Sequence, residues 1–196
     1  MFTGIVQGLG VLRRRDRGGV EIGLPPSIRD RLTIGGSVAV NGVCLTASGM
    51  SDGSFHADIS AETGSRTTLG RLRIGERVNL ELPLSPGSPL DGHIVLGHVD
   101  TVGRIEGFYR EQNGWILIVS YPPEYRRYVV EKGAIAIDGI SLTPYGLAGN
   151  TLRCAVIPGT HEKTNLKDRK SGDPVNIEFD IMAKYVKGMV RVVYTD

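Results

Sequence analysis

A chain of 196 residues carrying a net charge of +2, with 40% hydrophobic and 22% charged residues, is long enough to bury a core and too apolar for disorder. Its basic clusters, RRRDR at 13–17 and KDRK at 167–170, are short and interrupted by acid, so they predict solvated loop faces and no nucleic-acid footprint. No apolar run approaches the roughly 20 residues of a bilayer span, and the two cysteines, Cys44 and Cys154, lack metal-ligand spacing and follow no signal peptide, so the expectation is a cytoplasmic chain without metal, membrane or nucleic acid.

In chain order, short β segments bounded by Gly, Pro, Asn and Asp read as VLRR, VEIGL, SVAVNG, SFHADI and RVNLEL, then GRIEGF, WILIVSY, AIAIDGI, TLRCAVI and VNIEFD. Proline-started helical turns are expected at 25–32 and 122–129. The stretch PLSPGSPLDG at 83–92 marks a boundary. From Ile181 onward, Met182, Tyr185, Val186, Met189, Val190 and Val193 follow the spacing of an amphipathic helix, which either packs back on the preceding barrels or associates with copies of itself.

The chain is a duplication. At an offset of 97, GGSVAVNGVCLT (35–46) aligns with KGAIAIDGISLT (132–143), identical at five of 12 positions, and 63–81 aligns with 160–178 without a gap. GIVQGLGVL (4–12) matches GHVDTVGRI (97–105) at an offset of 93, so a loop of the second copy has absorbed four residues. The expected fold is all-β: two tandem antiparallel barrels, 1–93 and 94–180, with an oligomerisation helix over 181–196.

The copies differ in chemistry. Where the second has His98, Lys132, Asp138, Ser141 and Asp180, the first has Ile5, Gly35, Asn41, Cys44 and Pro83. Singly each has a plain structural reading: Cys44 a small buried hydrophobe, His98 a satisfied barrel residue, Asp138 a turn former, Lys132 a solvated charge. Their joint placement in a repeat favours two pockets that hold similar ligands in different roles.

MFTGIV, NGVCLT, GHIVLGHVD and DGISLT, in this order over the whole chain, resemble the riboflavin synthases of the alpha-subunit type. The resemblance implies two six-stranded Greek-key barrels and a homotrimer joined by C-terminal helices; an association with lumazine synthase is left open. It also implies a cofactor-free dismutation of two 6,7-dimethyl-8-ribityllumazine molecules by four-carbon transfer, giving riboflavin and a ribityl-diaminopyrimidinedione. The N-terminal barrel of one subunit would face the C-terminal barrel of its neighbour. His98 is the expected general acid/base. Cys44 is the candidate nucleophile, or a hydrogen-bonding group beside water acting as nucleophile. Ser141 and Thr143, with Asp138 and Asp180, are expected to relay or steady protons on the second side, and Lys132 to offer a cation to anionic forms of the ring or to the ribityl chain. Binding contacts are expected from Gly4, Ile5, Val6, Ser37, Cys44, Leu45, Thr46, Asp58, Ile59, Ser60, Ala61, Glu62 and Thr63 on one side. Gly97, His98, Val99, Lys132, Ser141, Leu142, Thr143, Ile157, Pro158, Gly159, Thr160, His161 and Glu162 are expected on the other, with Phe2 and Thr3 folding into the site. Pro144, directly after DGISLT, departs from the family pattern by removing a backbone donor, and the tail is short. The rival reading is a non-catalytic lumazine- or flavin-binding protein on the same barrels; such relatives would lose catalytic groups, whereas Cys44, His98, Ser141 and Asp180 are all present here.

Overall fold

The computed structural model describes residues 1–16 and 18–193, with side chains through Met189. Arg17 of the first basic cluster, the side chains of Val190 and Val193, and residues 194–196 lie outside the described residues. The first sheet comprises β1 (Gly8–Arg15), β2 (Gly19–Gly23), β3 (Ser37–Val40), β4 (Val43–Thr46), β5 (Gly49–Ser51), β6 (Ser54–Asp58) and β7 (Arg77–Glu81), in the order β4-β3-β7-β1-β2-β6-β5. The second repeats that order with β8 (Thr101–Glu111), β9 (Gly114–Ser120), β10 (Ile135–Ile137), β11 (Ile140–Leu142), β12 (Pro144–Ala148), β13 (Thr151–Val156) and β14 (Pro174–Phe179). Alternation drives these strands: in β13, Leu152, Cys154 and Val156 point into the core while Arg153 and Ala155 face out.

Seven segments per sheet reconcile with six barrel strands because β4 and β5 are halves of one bent run. Its first half pairs with β3 and its second with β6, so both edges of the sheet are closed. Ala47, at the bend, donates to the Gly36 carbonyl (2.9 Å) and accepts from Gly35 (2.8 Å). Pro144 occupies the same corner of the second barrel; its carbonyl accepts from Lys132 (2.8 Å), and the bond that Ala47 donates has no counterpart. The departure therefore costs one ladder bond at a bend.

The expected strand SVAVNG is two things. Asn41 (φ 45°) and Gly42 (φ 76°) form a tight turn between β3 and β4, and Asp138 (φ 46°) and Gly139 (φ 74°) do the same between β10 and β11. Two successive positive φ values fit the right-handed twist of a hairpin, which is why Asn-Gly and Asp-Gly stand there. Helical turns occur at α1 (Pro26–Arg29) and Pro123–Tyr128 as expected. The sequence reading did not anticipate α2 (Ala61–Arg66), capped by Ser60 accepting from the Thr63 N–H (3.0 Å), or its repeat α3 (Pro158–Lys163).

Each barrel has its own apolar core, and a third cluster, Phe2, Ala39, Val95 and Ala136, lies between them. The seam also holds a quasi-twofold network. Asn79 donates to the Asp138 carbonyl (2.8 Å) and Asn176 to the Asn41 carbonyl (2.8 Å). Their backbone N–H groups donate to the Asn41 (2.7 Å) and Asp138 (2.8 Å) side chains of their own copies. All four residues are buried, so each unmade bond would cost about 1–3 kcal/mol.

The final helix, α4 (Ile181–Val193), starts under Asp180, whose carboxylate accepts from the Met182 N–H (2.9 Å), and Lys184 pairs with Asp100. Beyond that tie the barrels leave its apolar stripe uncovered: Met182, Tyr185, Val186 and Met189 are 58–68% exposed.

Candidate functional site

The two linking segments cross between the barrels. Residues 2–5 run antiparallel to 93–96, with Phe2 and Val95 exchanging backbone bonds (2.6 and 3.1 Å) and His93 donating to the Thr3 carbonyl (3.1 Å). Two buried carboxylates from matched positions hold the crossing. Glu81 accepts from the Thr3 N–H (2.6 Å), the Thr3 hydroxyl (2.8 Å) and the Gly4 N–H (3.0 Å); Glu178 accepts from Leu96 (2.7 Å) and Gly97 (2.9 Å). Burial pushes both carboxyls above their ordinary range, against the pull of those donors.

The crossing exchanges one segment between the copies. Gly4 accepts from the Ser141 N–H (2.8 Å) and Gly97 from the Cys44 N–H (2.9 Å), while Val6 packs on the core of the second barrel and Val99 on that of the first. The expected grouping is therefore corrected. Gly97, His98 and Val99 belong with Cys44, and Gly4, Ile5 and Val6 belong with Ser141. Both glycines have φ near +80°, and a Cβ on Gly97 would lie 2.5 Å from the Cys44 Cβ, one on Gly4 2.7 Å from the Ser141 Cβ. Only glycine combines that dihedral with that approach.

At the first mouth, Cys44 is half-buried, its thiol pushed up by burial; the chain's amino terminus and a hydrogen bond with Ser37 pull the other way. His98 and Thr46 are exposed beside it. Asp58 ends β6, and Ile59 leads to Ser60, which caps the first turn of α2; a hollow of about 250 Å³ against Ile59, Ser60 and Ala61 reaches neither Cys44 nor His98.

At the second mouth, the Ser141 hydroxyl lies 2.7 Å from Nδ1 of His93, a residue the sequence reading missed. Burial lowers the His93 pKa, and the nearby Asp180 carboxylate opposes it, so Ser141, His93 and Asp180 form one cluster. Ile5 (44% exposed) stands where the first mouth has His98, and Thr143 is exposed. Lys132 adopts φ 64°, where the first copy has Gly35 (φ 83°), and its ammonium sits 5.4 Å over the Tyr145 ring. Of Ile157 to Glu162, the stretch around α3, His161 stacks flat on Trp115 with centroids 3.8 Å apart.

Three expectations fail for side chains. Asp138 is fully buried in the seam, bound by Arg169 (3.1 Å), Asn165 (2.8 Å) and the Asn176 N–H, so it relays no proton at a mouth. Phe2 and Thr3 are buried in the crossing, and Thr3 reaches only a hollow of about 180 Å³ that it shares with Ile5 and Glu81. Leu45 and Leu142 point into the barrel cores, leaving only their backbones for a ligand.

Fold and site together define a duplicated-barrel protein with two small-molecule mouths, matched in backbone and unlike in side chains. The lumazine binding domain family matches residues 3–83 and 96–180. Riboflavin synthase of Mycobacterium tuberculosis (strain ATCC 25618 / H37Rv) is 44% identical over 97% of this chain and 98% of its own, and that of Photobacterium leiognathi 37% over 98% and 90%. A solved structure of LumP complexed with riboflavin covers 91% of this chain and 99% of its own at 26% identity, with a TM-score of 0.85. The chain belongs to the riboflavin synthase family of duplicated lumazine-binding proteins.

Proposed function

We propose that this chain converts two 6,7-dimethyl-8-ribityllumazine molecules into riboflavin and a ribityl-diaminopyrimidinedione, in a cleft where the first barrel of one copy meets the second barrel of its neighbour. The observation that carries this is the exchanged crossing, which gives each mouth the same Gly-x-Val backbone but different reactive groups. A dismutation needs that difference, since one bound ring donates four carbons and its twin accepts them. Stacking two rings converts a bimolecular encounter into one within a complex, worth up to about 7–11 kcal/mol.

Protons then fall to local groups. His98 serves the first mouth, and His93, oriented by Ser141 and close to Asp180, serves the second by exchanging a proton with the acidic methyl of its ring. Cys44, protonated at neutral pH, supports a reading in which it hydrogen-bonds a ring or a water that adds to the electron-poor ring carbon. Lys132 faces anionic forms of the second ring. The uncovered stripe on α4 favours self-association, and we read it as the contact of a homotrimer working in the cytoplasm.

Mixing the purified protein with 6,7-dimethyl-8-ribityllumazine and following riboflavin fluorescence tests the assignment. Steady product formation is expected; tight binding without conversion would transfer the chain to the non-catalytic reading. Deleting residues 181–196 should leave lighter species by light scattering, and an intact trimer would count against the helix contact.

A further inference from the structure

A cleft of about 780 Å³ opens on the seam, lined by neither mouth. It is built from matched segments of the two copies, Thr68 and Arg71–Arg77 facing Asn165, Asp168–Lys170, Asp173 and Pro174, and it takes in three residues of the basic cluster KDRK. Five cations meet three carboxylates there, and all three carboxylates are engaged. Asp168 holds the Arg77 guanidinium, Glu76 accepts from the Arg73 backbone, and Asp173 accepts from the Lys170 backbone (2.9 Å). Among the described residues the side chains of Arg71, Arg73 and Lys170 make no ion pair. Arg73 and Lys170 occupy equivalent positions of the repeat.

A deeper group sets this cleft apart from an ordinary basic surface. Arg169, also lining it, has a side chain only 9% exposed; it gives one terminal nitrogen to Asp138 (3.1 Å) and brings the other to 3.9 Å from the Glu76 carboxylate, while its Nε–H is buried without a partner, as is the Thr68 hydroxyl. Leaving such donors unmade costs about 1–3 kcal/mol each. A buried guanidinium backed by unpaired Arg and Lys heads suits an oxygen-rich anion, since the guanidinium fork matches phosphate geometry. The volume exceeds that of a bare oxyanion, and the exposed Ile74 together with Leu72 and Pro174 offers apolar wall for an organic group.

We propose that this cleft binds a small phosphomonoester, its dianion between Arg73 and Lys170 with Arg71 and Arg169 behind them and its organic part against Ile74. Because Arg169 also holds Asp138, which opens the turn leading to Ser141, occupancy would stabilise the seam from outside both mouths.

Calorimetric titration of the full chain at constant ionic strength tests this, with phenyl phosphate and inorganic phosphate as probes. One saturable site per chain is expected, with Kd in the range of about 1 mM or tighter, and phenyl phosphate binding several-fold better than inorganic phosphate. R73E/K170E should weaken phenyl phosphate at least tenfold, and Arg29→Glu, an exposed cation elsewhere, should leave it unchanged. R73E/K170E should also form riboflavin at the wild-type rate in phosphate-free buffer, which separates this site from the reaction proposed above. Absence of saturable binding, equal binding by R73E/K170E, or binding of an oligonucleotide but not of phenyl phosphate would each overturn the proposal.

Discussion

The seam and the mouths are built from the same repeats yet have diverged to different degrees. At the seam the copies are nearly interchangeable: Asn79 and Asn176 each donate across the axis to the carbonyl of the other copy's Asp-Gly or Asn-Gly turn, and Glu81 and Glu178 each hold the crossing segment of their own copy. At the mouths Cys44 stands against Ser141, His98 against Ile5 and Lys132 against Gly35. Buried polar groups that bond one another leave little room for change, because an altered partner strands its mate in low dielectric; the Asn41 Nδ2 is the one seam amide nitrogen among the described residues already without a partner. Side chains at an open rim carry no such obligation and are free to acquire separate chemistry.

The seam holds one exception, and breaking it should produce the largest effect. Asp138 and Arg169 stand where the first copy has Asn41 and Leu72, so a charge pair has been introduced or lost as a unit. Asp138→Asn leaves Arg169 buried with only the more distant Glu76 carboxylate (3.9 Å), at about 3–5 kcal/mol by urea denaturation. Asp138→Asn combined with Arg169→Leu restores the first copy's pairing and should recover most of that loss. Strict additivity of the two single variants would show that the pair is not coupled.

Next in size come the crossing glycines. Gly97→Ala and Gly4→Ala each force a side chain into a positive-φ position against the backbone of a signature strand, at about 1–3 kcal/mol of strain before the clash. Both should lower the unfolding midpoint by similar amounts and reduce riboflavin formation at least tenfold, because each displaces one mouth. An unperturbed midpoint for either would mean that its crossing is not held as described.

The repeat was legible because both copies keep one register through strands and signatures, and the alternation of apolar residues located the strands. The crossing was not, since residues 4–6 and 97–99 read as the start of their own units; their partners are fixed by Glu81 and Glu178, whose signal was only the shared V-N-x-E run. His93 does not stand out from the repeat, because at the offset of 93 it has no counterpart in the first copy. Asp138 was overread for the opposite reason: a changed charge at an aligned position looks catalytic in sequence, and only its burial beside Arg169 assigns it to the seam. In α2 and α3 the helices are too short for periodicity to show.

A subtler difference between the mouths is their response to acid. Burial lowers the His93 pKa, so the fold favours its neutral ring. Its contribution is therefore present above the ordinary histidine value of about 6.5 and is lost as pH falls through the lower, folded value. Melting temperature should drop from pH 7 toward pH 5 less steeply in His93→Gln than in the wild type. Parallel slopes would mean that burial does not hold the His93 ring neutral.

The smallest effect concerns the thiol that first distinguished the copies. Burial raises the Cys44 pKa above 9.0, and a hydrogen bond with Ser37 counteracts this in part. The thiolate is the reactive form, so alkylation by iodoacetamide should be slow at pH 7 and accelerate close to tenfold for each unit of pH through pH 9. Cys154, fully buried with its thiol pushed up to about 12, should stay unmodified in the folded protein, so mass spectrometry should find one adduct per chain. A rate already on its plateau below pH 8 would mark Cys44 as a ready thiolate, and the first mouth would then attack its ring through sulfur in place of water.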